Sequence, residues 1–106
     1  MLSTSGATSG GAVSSQVVGQ AGTITLGTPP ASVVLVAPTA IRAGIILTVG
    51  TVEGQLLYVV NNSNFALTFD VVATSNVQNG TGCVITANTA RLFVWEVTVA
   101  AWCPVI

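Results

Sequence analysis

The chain has 106 residues and almost no charge: two Arg, three acidic side chains, no Lys and no His, against 51% apolar residues. A net charge of −1 without Lys excludes the phosphate neutralisation that nucleic-acid binding requires. The lack of His and Lys also excludes Ser–His, Cys–His and Ser–Lys nucleophilic pairs within one chain.

An ordinary soluble domain keeps its surface wet with about a quarter charged residues. Here only Arg42, Glu53, Asp70, Arg91 and Glu96 serve that purpose, and the remaining polarity comes from 14 Thr, 8 Ser, 6 Asn and 4 Gln. Such a surface does not repel copies of itself. The expectation is a structural subunit packed against others, with no catalytic, cofactor-binding or metal-binding residues. The three carboxylates form no cluster that would suit paired acid–base work.

Residues 1–20 open with the small-residue run Ser3-Thr4-Ser5-Gly6-Ala7-Thr8-Ser9-Gly10-Gly11. They are expected to be a flexible arm, and removal of residues 1–15 to leave the fold intact. They lack the basic n-region and apolar run of a signal peptide, which predicts synthesis in the cytoplasm. The stretch Ala31 to Gly50 approaches the length of a membrane span, but Pro38, Arg42 and Gly44 interrupt it, so no membrane partner is expected.

From Ala21 to Ile106 a single β-domain is predicted. The supply of 18 Val, 6 Ile and 14 Thr favours a pleated surface over a helix. Strands are expected at Gly22–Leu26, Ser32–Val36, Ile45–Val49 and Gln55–Val60. Asn61-Asn62-Ser63-Asn64 reads as a tight turn, so that Gln55–Val60 and Phe65–Phe69 form a hairpin across it. Asn79-Gly80 is a second turn signal, followed by a strand over Cys83–Thr86. Arg91–Val99 is the longest predicted strand, with Leu92, Val94 and Glu96 on one side and Arg91, Phe93, Trp95, Val97 and Val99 on the other. Large apolar groups on both of its faces place it centrally. About seven or eight short strands punctuated by Gly, Asn and Pro predict an all-β fold, a small antiparallel β-sandwich or jelly roll. Its edge strands have little charge for protection, so pairing with a symmetry mate is expected. Cys83 and Cys103 supply too few soft ligands for zinc and are taken as small buried apolar side chains in preference to a disulfide.

The segment Glu53-Gly54-Gln55-Leu56-Leu57-Tyr58-Val59-Val60-Asn61-Asn62-Ser63, followed by Leu67-Thr68-Phe69, resembles segments of small virion proteins of tailed bacteriophages. Ala90-Arg91-Leu92-Phe93-Val94-Trp95-Glu96 and Ala101-Trp102-Cys103-Pro104 are similar to the closing strands of such proteins. Together these motifs cover about half of the chain, and they recur in head decoration (cement) proteins and in β-rich domains of tail fibres and spikes. The resemblance implies a virion protein without catalytic residues. A single domain with an arm looks more like a cement protein seated on the capsid exterior. Its implied partners are the major capsid protein and copies of itself, a homotrimer first and a homodimer next. Tyr58, Phe93, Trp95 and Trp102 are candidate interface anchors, since aromatics dominate interface hot spots, although core is the commoner fate of each. Arg42 and Arg91, the only cations, are candidates to bridge to a capsid carboxylate or to cap a rim.

Overall fold

The computed structural model describes residues 12–27 and 31–105. The described residues form nine strands: β1 (Ala12–Gln16), β2 (Thr23–Ile24), β3 (Val33–Val36), β4 (Arg42–Leu47), β5 (Leu56–Asn61), β6 (Leu67–Phe69), β7 (Val84–Ile85), β8 (Ala90–Glu96) and β9 (Ala101–Pro104). One helical turn, α1 (Val72–Ser75), and a 3-10 turn at Gly80–Gly82 lie between β6 and β7. Among the described residues no helix is long and apolar enough to cross a membrane.

The all-β class follows from the sequence, but the pairing departs from the antiparallel expectation. A five-stranded sheet has the order β9-β8-β5-β3-β1, and a four-stranded sheet the order β2-β4-β6-β7. The chain therefore alternates between sheets from β1 to β6, and neighbours within each sheet are parallel. Val33 of β3 sits beside Ala12 of β1 and Tyr58 of β5, while Ile46 of β4 sits beside Thr23 of β2. Three windings of a flattened coil result, and antiparallel pairing enters only with β7, β8 and β9. A jelly roll is built from antiparallel Greek keys, and these parallel ladders are not that topology. The physical reason lies in the crossovers. Parallel neighbours need a long return path, and here each return passes through the opposite sheet.

The expected hairpin across Asn61–Asn64 is accordingly absent. β5 pairs with β3 and β8, and β6 pairs with β4 and β7. The Asn-Asn-Ser-Asn segment is a corner that carries the chain from one sheet to the other. Asn61 is fully buried, and its Nδ2 donates to the carbonyl oxygens of Phe65 (2.7 Å), Ile85 (3.1 Å) and Thr86 (3.2 Å). Its Oδ1 accepts from Ser63 Oγ at 2.7 Å. One buried amide thus ties β5, the corner and the end of β7 together.

The core between the sheets is aliphatic, with Val34, Val36, Leu57 and Val59 of one sheet facing Ile45, Leu47, Leu67 and Phe69 of the other. Phe69 meets Phe93 edge to face, with ring centroids 5.7 Å apart. Near the start of β5, Gly50 lies so close to the Trp95 indole that a Cβ would overlap it. At the Asn79-Gly80 turn both residues have positive φ (71° and 41°), and a Cβ on Gly80 would meet the Asp70 carbonyl oxygen at 2.9 Å.

The arm expected over residues 1–20 contains β1, a strand of the five-stranded sheet; residues 1–11 lie outside the described residues. Gln16 fastens β1 at its end, since Oε1 accepts from Thr25 N (3.0 Å) and Nε2 donates to Thr25 O (2.8 Å). The Ala37 amide donates to Gln16 O at 2.7 Å, and Val18 enters the core. Removal of residues 1–20 is therefore expected to strip a sheet edge and cost roughly 2–4 kcal/mol, the scale of a large-to-small core change at Val18 combined with lost edge hydrogen bonds. Urea denaturation of the truncated chain checks this. An unchanged midpoint would mean that β1 contributes nothing to stability.

Candidate interaction surfaces

The alternation of side chains along the strands builds an unusual outer surface. In β5, Leu57 and Val59 point inward, while Leu56, Tyr58 and Val60 point outward; Leu56 is 52% exposed and Tyr58 47%. In β8, Phe93 and Trp95 are buried, and Leu92 and Val94 face out. The register aligns these into rows. Cys103, Val94 and Leu56 lie side by side, as do Leu92, Tyr58 and Val33, while Val60 lies beside Leu35. A sheet with one wet face normally alternates apolar inward with polar outward. This one is apolar on both faces.

The charged groups sit at the ends of the sandwich, each hydrogen-bonded to a neutral neighbour. Glu53 accepts from the Val97 amide at 2.8 Å, closing the β4–β5 connection onto the β8–β9 turn. Asp70 accepts from the Val71 amide at 2.8 Å, and Glu96 from the Thr98 amide at 3.4 Å. The strand directions gather these three carboxylates at one end, because Asp70 follows β6, Glu96 ends β8 and Glu53 precedes β5. Arg42, which opens β4, and Arg91, near the start of β8, lie toward the opposite end. Arg42 Nε donates to Val18 O and its Nη2 to Thr39 Oγ1, both at 3.2 Å, while Arg91 Nη1 reaches Val84 O at 3.5 Å. The carboxylate end also exposes Val49, Val52, Val71, Val72, Val97 and Val99 on its turns.

The six candidate anchors separate cleanly. Phe93 and Trp102 are fully buried, and Trp95 is nearly so. Trp95 and Trp102 are register partners that point inward together, with ring centroids 5.4 Å apart. Trp102 Nε1 donates to Thr48 O at 2.7 Å, which ties the two sheets. These three aromatics are core, so a partner docking on this surface does not reach them. Tyr58 remains on the outer face, and Arg42 and Arg91 are half-buried. The structure does not bring Tyr58 and the two arginines into one cluster. The aliphatic residues around Tyr58 are the ones that the emphasis on aromatic anchors missed, although the unbroken apolar runs of β3 and β5 signal them.

Both cysteines are free. Cys83 is buried, and burial pushes its thiol pKa up, with Arg91 acting in the opposite sense. A protonated, enclosed thiol is a weak nucleophile. Cys103 is partly exposed on the apolar outer face. Among the described residues no group of three or more His, Cys, Asp or Glu side chains could hold a metal ion. Comparison with protein-family models, with curated proteins and with solved structures finds no match to this chain.

Proposed function

We propose that the chain is a non-enzymatic structural protein of a virion, a decoration (cement) protein on the outside of a bacteriophage head, made in the host cytoplasm. The observation that carries this reading is the outer face of the five-stranded sheet, which is apolar and bears one charge, Glu96, at its rim. A face of that kind favours association with other protein surfaces over solvent. The resemblance of the Glu53–Ser63, Leu67–Phe69, Ala90–Glu96 and Ala101–Pro104 segments to phage virion proteins supplies the setting. In that setting the knob touches the major capsid protein and copies of itself. Several modest contacts made at once then hold the assembled shell against separated subunits.

A second reading is favoured by the winding of β1 to β6. Parallel coils stack along one axis, and that geometry suits a module of a trimeric tail fibre or spike involved in host attachment. Quantitative mass spectrometry of purified particles separates the two. A copy number on the order of the major shell protein's supports decoration. A few copies per particle favour the fibre or spike, and complete absence overturns both.

A further inference from the structure

We propose that the outer face of the five-stranded sheet binds a second copy of this chain, face to face about a two-fold axis, with the strands of the two copies antiparallel. The inference rests on the reading of the chain as a self-associating structural subunit, and it names the surface and the symmetry.

The two sheets differ in what they show to solvent. Outward positions of the four-stranded sheet include Thr23, Thr68 and Gly44 beside Ile46 and Val84. Those of β5 and β8 in the five-stranded sheet are Leu56, Tyr58, Val60, Leu92 and Val94 with Glu96 at the rim, continued by Val33 and Leu35 on β3 and Cys103 on β9. Across β3, β5, β8 and β9 this face carries no Ser or Thr, and its apolar rows form one continuous patch.

The occupant must be as neutral as the face. A charged partner surface would lose its hydration with no counter-charge here to replace it. A second copy satisfies that condition by construction, because a two-fold contact uses the same patch on both subunits. The patch covers four strands spaced about 4.8 Å apart and roughly six residues of length, a footprint of roughly 400 Å² per copy. That is about half of a standard interface side, which places the dimer in the weak class, with a dissociation constant on the order of micromolar or above.

Charge sets the orientation. Each copy carries Glu53, Asp70 and Glu96 at one end and Arg42 and Arg91 toward the other. A parallel arrangement, including a three-fold one about an axis along the strands, collects all the carboxylates at one end. The antiparallel two-fold arrangement keeps the two carboxylate ends apart and sets each at the partner's arginine end, although Arg42 and Arg91 themselves bond within the sandwich.

Sedimentation equilibrium of the full chain from about 1 µM to about 1 mM tests the proposal across the range where such a contact forms. A monomer–dimer equilibrium is expected. Tyr58→Glu and, independently, Val94→Glu are expected to raise the dissociation constant at least tenfold while the far-UV circular dichroism stays that of the parent. In the parent, alkylation of Cys103 is expected to slow as concentration rises through the transition, with Cys83 unreactive throughout. Glu53→Gln keeps the cap on Val97 and is expected to weaken the dimer about twofold, the scale of one exposed charge contact. A monomer across the range, or a trimer, overturns the proposal. So does a dimer that survives both Glu variants or leaves Cys103 equally reactive. A tighter Glu53→Gln dimer overturns the antiparallel arrangement. The copy number in particles tests the virion role separately, so either result can fail without the other.

Discussion

Asn61→Ala is expected to lower the unfolding free energy by about 3 kcal/mol, and the melting temperature by roughly 15 °C for a domain of this size. The side chain is fully buried, yet all of its polar atoms are satisfied, as are the other buried side-chain polar atoms of the described residues. Its amide supplies donors to carbonyls on three sides of one corner. Alanine removes those donors from the Phe65, Ile85 and Thr86 carbonyls and takes away the Oδ1 acceptor of Ser63 Oγ. An unmade buried hydrogen bond costs about 1–3 kcal/mol per group, well above the net gain of making one. Asn61→Asp preserves the shape but has no amide hydrogen to give, so it is expected to fall at least as far. Asn62→Ala, one residue on and exposed, is expected to stay within about 0.5 kcal/mol of the parent. Chemical denaturation of the three variants checks the ordering. If Asn61→Ala lost less than about 1 kcal/mol, water would be replacing the amide and the corner would not be a fixed joint.

That corner also shows where local pattern stops being informative. Asn-Asn-Ser-Asn marks a change of chain direction whether the next strand pairs with the last or crosses to another sheet. The choice is made by Asn61 bonding to Ile85 and Thr86, which no local window contains. The strands themselves were legible, because Val33–Val36 and Leu56–Val60 are dense in residues that suit a pleated surface. Their unbroken apolar character also carries the signature of parallel strands buried on both sides, against the alternation of an antiparallel sheet with one wet face. β1 was not legible, since Ala-Val-Ser-Ser-Gln has little strand propensity of its own. Its place comes from the β3 edge and from the Gln16 fork on Thr25. Of the candidate site, Tyr58 was found in the sequence and its aliphatic surroundings were not. Period two separates the two faces of β8 correctly, but it does not say which face the second sheet covers.

Trp102→Ala is expected to lower stability by about 4 kcal/mol, a large part of the roughly 5–15 kcal/mol that holds a domain of this kind together. The indole is fully buried, meets Trp95 edge to face and donates to the Thr48 carbonyl on the connection leaving β4. Its removal opens a cavity between the sheets and orphans that carbonyl. Trp102→Phe keeps much of the volume but cannot donate, so its smaller expected loss of about 1–2 kcal/mol isolates the hydrogen bond. Tyr58→Ala gives the opposite pattern. Its side chain is 47% exposed, so it should leave the melting temperature within a few degrees and weaken self-association. Thermal unfolding and sedimentation of both variants separate core from interface. A stable Trp102→Ala that no longer associates would move Trp102 to the interface and require this end of the sandwich to open on assembly. An unstable Trp102→Ala beside a stable, monomeric Tyr58→Ala assigns each aromatic its role: one joins the two sheets, and the other meets the next copy.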